Sequence, residues 1–169
     1  MLECVVNVSE GRRRDVVDTI AAAAGPALLD VHVDGDHNRS VMTLGGAPAA
    51  VEDAARRLAQ RAAGLVDLRA HEGVHPRLGV IDVVPFVALD DTARARAVDA
   101  AIAYAHWSAD VLGVPVFLYG EADKDGRTLP EARRDAFLRR EPDVGPRVAH
   151  ARLGATAVGA RPVLLALNC

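Results

Sequence analysis

Short runs of branched apolar residues alternate along the chain with stretches in which apolar residues recur every three or four positions. "LECVVNV" at 2–8 reads as a short buried strand. In "SEGRRRDVVDTIAAAAGP", Val16, Val17, Ile20 and Ala24 fall at helical spacing, with Ser9 placed to cap the start and Gly25-Pro26 to end it. "ALLDVHVD" alternates, which puts Leu29, Val31 and Val33 on one strand face and Asp30, His32 and Asp34 on the other. The loop "DGDHN" leads to a further strand around "SVMTLGG". From Pro48 to about Arg69, the residues Val51, Ala55, Leu58, Ala62 and Leu65 form one helical stripe, with Pro48 in the first turn and Glu52 and Asp53 complementing the dipole. "LGVIDVVPFVAL" is a strand. A helix starting at Asp90-Asp91 carries Val98, Ile102, Ala105 and Leu112 and closes at Gly113. "PVFLYG" and, at 162–168, "PVLLALN" are the last strands.

The first six elements therefore run strand, helix, strand, strand, helix, strand. That order predicts an α+β, ferredoxin-like split βαβ sandwich: an antiparallel sheet with helices on one face, extended at its C-terminal side by a helix and two strands. Residues 1–169 read as a single domain. The stretch 120–162 is polar and rich in Gly, Pro and Arg, with only "LPEARRDAFLRR" helical in pattern. A long irregular segment in a small domain usually has a job, which makes it a candidate binding loop.

Composition narrows the function classes. Half of the 169 residues are hydrophobic, enough for one core, and the net charge of -3 offers no global attraction to nucleic acid or to an anionic membrane. The run Arg12, Arg13, Arg14 is local and reads as a solvated helix start. The only cysteines, Cys4 and Cys169, form neither a disulfide framework nor a zinc-ligand spacing, which points to a reducing compartment. No apolar run approaches the roughly 18 residues that span a bilayer, so a cytoplasmic location is expected.

"HEGVH" at 71–75 satisfies H-E-x-x-H, in which two histidines one helical turn apart hold zinc. Gly73 interrupts it, and Pro76 biases the residue before it toward extended geometry, so the stretch reads as a helix-to-strand loop. Asp34, Asp36 and Asn38 imitate the start of a calcium loop, but Arg39 replaces its turn glycine and Gly45 its last carboxylate. "GATAVGAR" at 154–161 has phosphate-loop glycines without the Lys-Ser/Thr pair. No metal is expected.

Polar residues at element ends remain. Asn7, Ser9 and Glu10 stand where a strand meets a helix N-terminus, where they can meet an anionic ligand group or simply cap the helix. Asn38, Arg39 and Arg77 lie in loops; such an arginine can clamp a carboxylate or be a surface charge. Asp82, inside an apolar strand, needs a partner, either a histidine or arginine that it orients or a purely structural hydrogen bond. His75, in a Gly- and Pro-bounded loop, is the best single candidate for proton transfer near neutral pH, although a lone histidine is often structural.

Several stretches together resemble one family: "ECVVNVSEGR" at 3–12, "LLDVHVDGDHNRSV" at 28–41, "HEGVHPRLGVIDVVPF" at 71–86, "VPVFLYGEA" at 114–122, "RTLPEARR" at 127–134, "DVGPRVAHARLGATAVGAR" at 143–161 and "LLALN" at 164–168. In this order they resemble the N-terminal subdomain of the formiminotransferase domain found in glutamate formimidoyltransferase and formimidoyltransferase-cyclodeaminase. The resemblance implies transfer of a formimino group from N-formimino-L-glutamate to N5 of tetrahydrofolate, in histidine degradation and one-carbon metabolism. It also implies a ferredoxin-like fold in each of two subdomains, the second of which is absent from this chain. The partner it implies is a second copy or a separate C-terminal subdomain.

The family's catalytic histidine, in its H-P-R motif, falls on His75 rather than His71, which is left a supporting role. Its folate-contacting segment falls on Gly145, Pro146, Arg147, Val148 and Ala149, continuing through His150, Ala151, Arg152, Leu153 and Gly154. Because both substrates carry carboxylates, Arg39, Arg77, Arg147 and Arg152 are candidate clamps. Two alternatives stand beside this reading. One is a non-catalytic folate-binding or assembly module that needs a separate second subdomain. The other is an enzyme that uses the His75 loop on another amidine or formyl donor.

Overall fold

Alternation between apolar and polar residues gives Leu2–Val8 (β1) a buried face of Leu2, Cys4, Val6 and Val8 and a half-buried one of Glu3, Val5 and Asn7. The structure, a computed structural model, describes residues 1–74, 76–90 and 93–164. The remaining elements follow as Arg14–Ala22 (α1), Leu28–Asp34 (β2), Arg39–Gly46 (β3), Pro48–Leu65 (α2), Ile81–Ala88 (β4), Arg94–Leu112 (α3), Val116–Gly120 (β5), Leu129–Asp135 (α4) and Thr156–Arg161 (β6).

The six strands form one sheet in the order β2-β3-β1-β4-β6-β5. The first four pair antiparallel and, with α1 and α2, make the ferredoxin-like unit. The two strands added beyond this unit pair parallel, β6 with both β4 and β5, because α3 carries the chain back across the sheet before β5 begins. The α1, α2 and α3 helices share one face, over a core of Val17, Ile20, Met42, Leu58, Phe86 and Tyr104. Fully burying one such large side chain is worth about 1.5–3 kcal/mol. On the opposite face, α4 lays Ala132 and Leu129 on Val83, Tyr119 and Ala157, so helices cover both faces of the β4-β6-β5 half.

Local chemistry moves several boundaries. A register shift between Leu28 and Asp30 turns Leu29 outward, 67% exposed, and Leu28 joins Val31 and Val33 against the core in its place. The second helix stops at Leu65, short of Arg69, because Val66 goes extended and is buried, and a 3-10 turn follows at Leu68–Ala70. In the third, Asp90 precedes the helix, which starts at Arg94 and ends as expected at Gly113 with left-handed φ 65. The α4 helix covers only the first part of 129–140; beyond it Asp135 O accepts from the N–H groups of Leu138, Arg139 and Arg140 in a turn.

The stretch 154–161, read above within an irregular region, supplies a central strand. It was illegible because its residues are small, and they are small for a reason: a Cβ at Gly159 would lie 2.6 Å from Cε1 of the Tyr119 ring. The strand expected at 162–168 is not found in 162–164, and 165–168 lie outside the described residues.

Candidate functional site

Strands β1 and β2 end, and β3, β4, β5 and β6 begin, at one rim of the sheet. Segments remote in sequence therefore meet there: 9–13, the β2-β3 turn, 66–80 and 144–155.

Glu10 is the charged centre of this rim. Its side chain is buried, and Oε1 accepts from the backbone N–H of Arg12 at 3.0 Å and of Arg13 at 2.9 Å, while Oε2 accepts from Arg13 Nε at 2.6 Å. Burial by itself raises its pKa, but the Arg13 backbone and guanidinium and the Arg12 N–H outweigh it and hold the carboxyl below its ordinary range. Ser9 does not cap α1. Its hydroxyl donates to Gly79 O at 2.7 Å and ties β1 to the strand beside it, and the helix starts after Arg13 without a side-chain cap.

Asn38 joins three segments. Its backbone is left-handed (φ 48), its Oδ1 accepts from Gly11 N at 2.9 Å, and its Nδ2 donates to Glu72 O at 2.8 Å. The carbonyl of the same residue lies 2.9 Å from His71 Nε2, so that nitrogen carries the donating hydrogen; Nδ1 is buried with no partner among the described residues. His71 is extended (φ -97, ψ 126), which removes the helix that the zinc pattern requires. Together, Glu10, Arg12, Arg13, Asn38, His71 and Glu72 line most of a cavity of about 380 Å³.

His75 lies outside the described residues, and its neighbours are tethered on both sides. Arg77 Nη2 donates to Gly73 O at 2.6 Å, closing the loop around position 75. A side chain at Gly73 has no room, since its Cβ would lie 2.6 Å from His37 O. Asp82 is buried and resolves its two sequence readings in favour of an arginine: Oδ2 accepts from Arg133 Nη1 at 2.7 Å, and Oδ1 accepts from Leu78 N at 2.6 Å. Sequence reasoning missed Arg133, which stands 51 positions from Asp82 and carries no local signal. Arg13 was equally missed, though its i+3 spacing from Glu10 was a usable hint.

The segment 145–154 divides. Arg147 and Val148 are exposed and, with Ala149 and the turn 137–141, line a groove of about 700 Å³. His150 to Gly154 is instead a closed turn: the two residues exchange backbone hydrogen bonds, and His150 Nδ1 accepts from Arg152 N and Leu153 N at 3.2 and 3.0 Å. Leu153 is buried, and Arg152 is committed to the carbonyl of Ala63 near the end of α2.

Not every candidate joins the cavity. Asn7 donates to Val5 O at 3.1 Å and sits on the face away from α1 and α2. Arg39, half-buried at the start of β3, has Nε buried and unpaired among the described residues. Cys4 is no nucleophile, since burial in the core, then the nearby Glu3, push its thiol far up. No helix among the described residues is long and apolar enough to cross a membrane.

A family model described as "Formiminotransferase domain, N-terminal subdomain" matches residues 1–161. Among curated proteins, the glutamate formimidoyltransferase of Streptococcus pyogenes serotype M1 is 37% identical over 187 residues, covering 99% of this chain and 61% of that protein. That of Thermoplasma acidophilum is 40% identical over 185 residues, with the same two shares. The formimidoyltransferase-cyclodeaminase of Rattus norvegicus is 39% identical over 183 residues, covering 99% of this chain and 34% of its own length. The chain thus spans between about a third and three fifths of these relatives.

Proposed function

The chain belongs to the formiminotransferase domain family, N-terminal subdomain, and from that premise we propose that it works in transfer of the formimino group from N-formimino-L-glutamate to N5 of tetrahydrofolate. The observation that carries the reading is the meeting of Glu10, Asn38 and His71 with the tethered residues on either side of position 75, at the rim that the 145–154 segment also reaches.

In this reading N5 attacks the formimino carbon and forms a C–N bond. His75 takes the proton that N5 must lose as it becomes cationic. The tetrahedral intermediate breaks its bond to the glutamate nitrogen, which receives that proton and leaves as the amine. The products are glutamate and 5-formiminotetrahydrofolate. Tetrahydrofolate enters as co-substrate, and the groove beside Arg147 and Val148, with cations and apolar side chains together, suits an aromatic ring carrying carboxylates. Histidine breakdown and a cytoplasmic setting follow from the same reading.

A second reading, a module active only with a separate second subdomain or a second copy, draws on the half of the sheet formed by β2, β3 and β1. Val5, Val41 and Thr43 are half-buried on the face opposite α1 and α2, and Leu29 is exposed beside Gly45. Steady-state assay with formiminoglutamate and tetrahydrofolate, with and without a separately made second subdomain from a relative, tests both. Turnover of the chain alone supports the first reading, and turnover only on mixing supports the second. Folate binding with no turnover in either case defeats formimino transfer.

A further inference from the structure

Arg133 lines neither the cavity nor the groove, yet from α4 it reaches both Asp82 and the backbone carbonyl of Pro76, next to position 75. We infer that Arg133 is a positioning residue for that loop, acting with Asp82 as a clamp on the backbone just after residue 75. The inference rests on the reading of His75 as the base.

The clamp is a closed chain of bonds. Arg133 Nη1 donates to Asp82 Oδ2 at 2.7 Å, and Nη2 donates to the carbonyl of Pro76 at 2.6 Å. The other Asp82 oxygen, Oδ1, accepts from Leu78 N at 2.6 Å. One ion pair therefore grips the backbone at residues 76 and 78. Proline has no N–H, so the Pro76 carbonyl is the first backbone group after residue 75 that a side chain can hold by a strong hydrogen bond. Arg77 closes the other side through Gly73 O.

The anchor end is held at its start and along its buried face. A capping box starts α4, with the Glu131 carboxylate accepting from Thr128 N at 2.8 Å. Ala132 and Leu129 seat the helix on the sheet. The Arg133 and Asp82 side chains are 20% and 2% exposed. A pair so desolvated does little for stability compared with apolar residues of the same size, so the bonds it makes to the 76–78 backbone point to a geometric task. Two nitrogens of one planar guanidinium serve the carboxylate and the carbonyl at once, an arrangement that a lysine ammonium, with its donors on a single flexible centre, does not reproduce.

The test compares the parent chain, supplied with a second subdomain if turnover requires it, with Arg133→Ala, Arg133→Lys and His75→Ala. The clamp predicts that Arg133→Ala lowers kcat by about 10- to 100-fold with KM within about twofold, the size expected when a catalytic group is held slightly out of place. Guanidinium at millimolar concentration should restore part of that rate for Arg133→Ala but none for His75→Ala. Arg133→Lys should fail to restore it. Unchanged kcat, or a loss that guanidinium does not relieve, overturns the inference. If the parent has no formimino transfer at all, NMR decides separately. Shifted His75 ring resonances and faster exchange of the Leu78 amide in Arg133→Lys, with the Met42 amide unchanged, sustain the clamp; unaltered Leu78 and His75 signals overturn it.

Discussion

The side-chain amide of Asn38 donates to the backbone carbonyl of Glu72 across 2.8 Å, so the β2-β3 turn holds the loop that carries His71. The same amide's oxygen accepts from Gly11, which makes the orientation of the group unambiguous: one end must donate and the other accept. Asn38→Asp keeps the acceptor and sets a carboxylate oxygen against the Glu72 carbonyl. The substitution should cost about 1–3 kcal/mol, read as a lower midpoint in urea unfolding, because a part-buried carbonyl loses its donor and faces a carboxylate oxygen instead. An unchanged midpoint would show that the bridge contributes nothing.

Glu10 gives the molecule a defined acid response. Its folded pKa lies below the ordinary 4.5, with burial opposing and the Arg13 and Arg12 hydrogen bonds prevailing. Its stabilising contribution is therefore complete above that ordinary value and is lost as pH falls through the lower folded value. Glu10→Gln should lose on the order of 2 kcal/mol at pH 7, where the charged hydrogen bonds are gone, and should show a shallower fall in stability between about pH 5 and pH 3 than the parent. Denaturant melts across that range measure both.

The two histidines of "HEGVH" should separate kinetically. Removal of a general base costs about 10²–10⁴-fold in rate, so His75→Ala should lower kcat by that factor while leaving thermal stability close to the parent's. His71→Ala should instead cost about 1 kcal/mol of stability, since His71 Nε2 bonds the Asn38 carbonyl, and should reduce kcat by less than about tenfold. Steady-state rates paired with thermal melts would expose a reversed assignment.

Arginines in the 145–154 segment should also part company. Arg147 is exposed and faces the groove, so Arg147→Ala should weaken tetrahydrofolate binding about tenfold and leave stability within about 0.5 kcal/mol. Arg152 is bound to the Ala63 carbonyl, so Arg152→Ala should cost about 1–2 kcal/mol of stability and change folate affinity little in the fraction that stays folded. Titration calorimetry and urea melts on the two variants test the pair.

Much of the architecture was open to reading from local pattern. Of the stripe Val51, Ala55, Leu58, Ala62 and Leu65, all but the exposed Leu65 at the helix end are buried, and β1, the β2-β3 hairpin and the Gly113 stop fall where periodicity and turn chemistry place them. Reading failed where packing overrides pattern. The outward turn of Leu29 comes from a register shift that alternation cannot reveal. The small residues of β6 look like a loop until Tyr119 is known to lie over Gly159.

By itself, then, the sequence determined the order of elements, the Gly- and Pro-broken loop at 71–77 and the family, since each is written in neighbouring residues whose backbone preferences and apolar spacing act over a turn or two. Tertiary structure alone decided which polar groups share the rim. The bonds from Gly11 to Asn38, from Asn38 to Glu72 and from Arg133 to Asp82 span 27, 34 and 51 positions, and only the folded sheet brings their ends together. The energy of such a bond depends on burial and on a partner's geometry, neither of which exists in the chain before it folds.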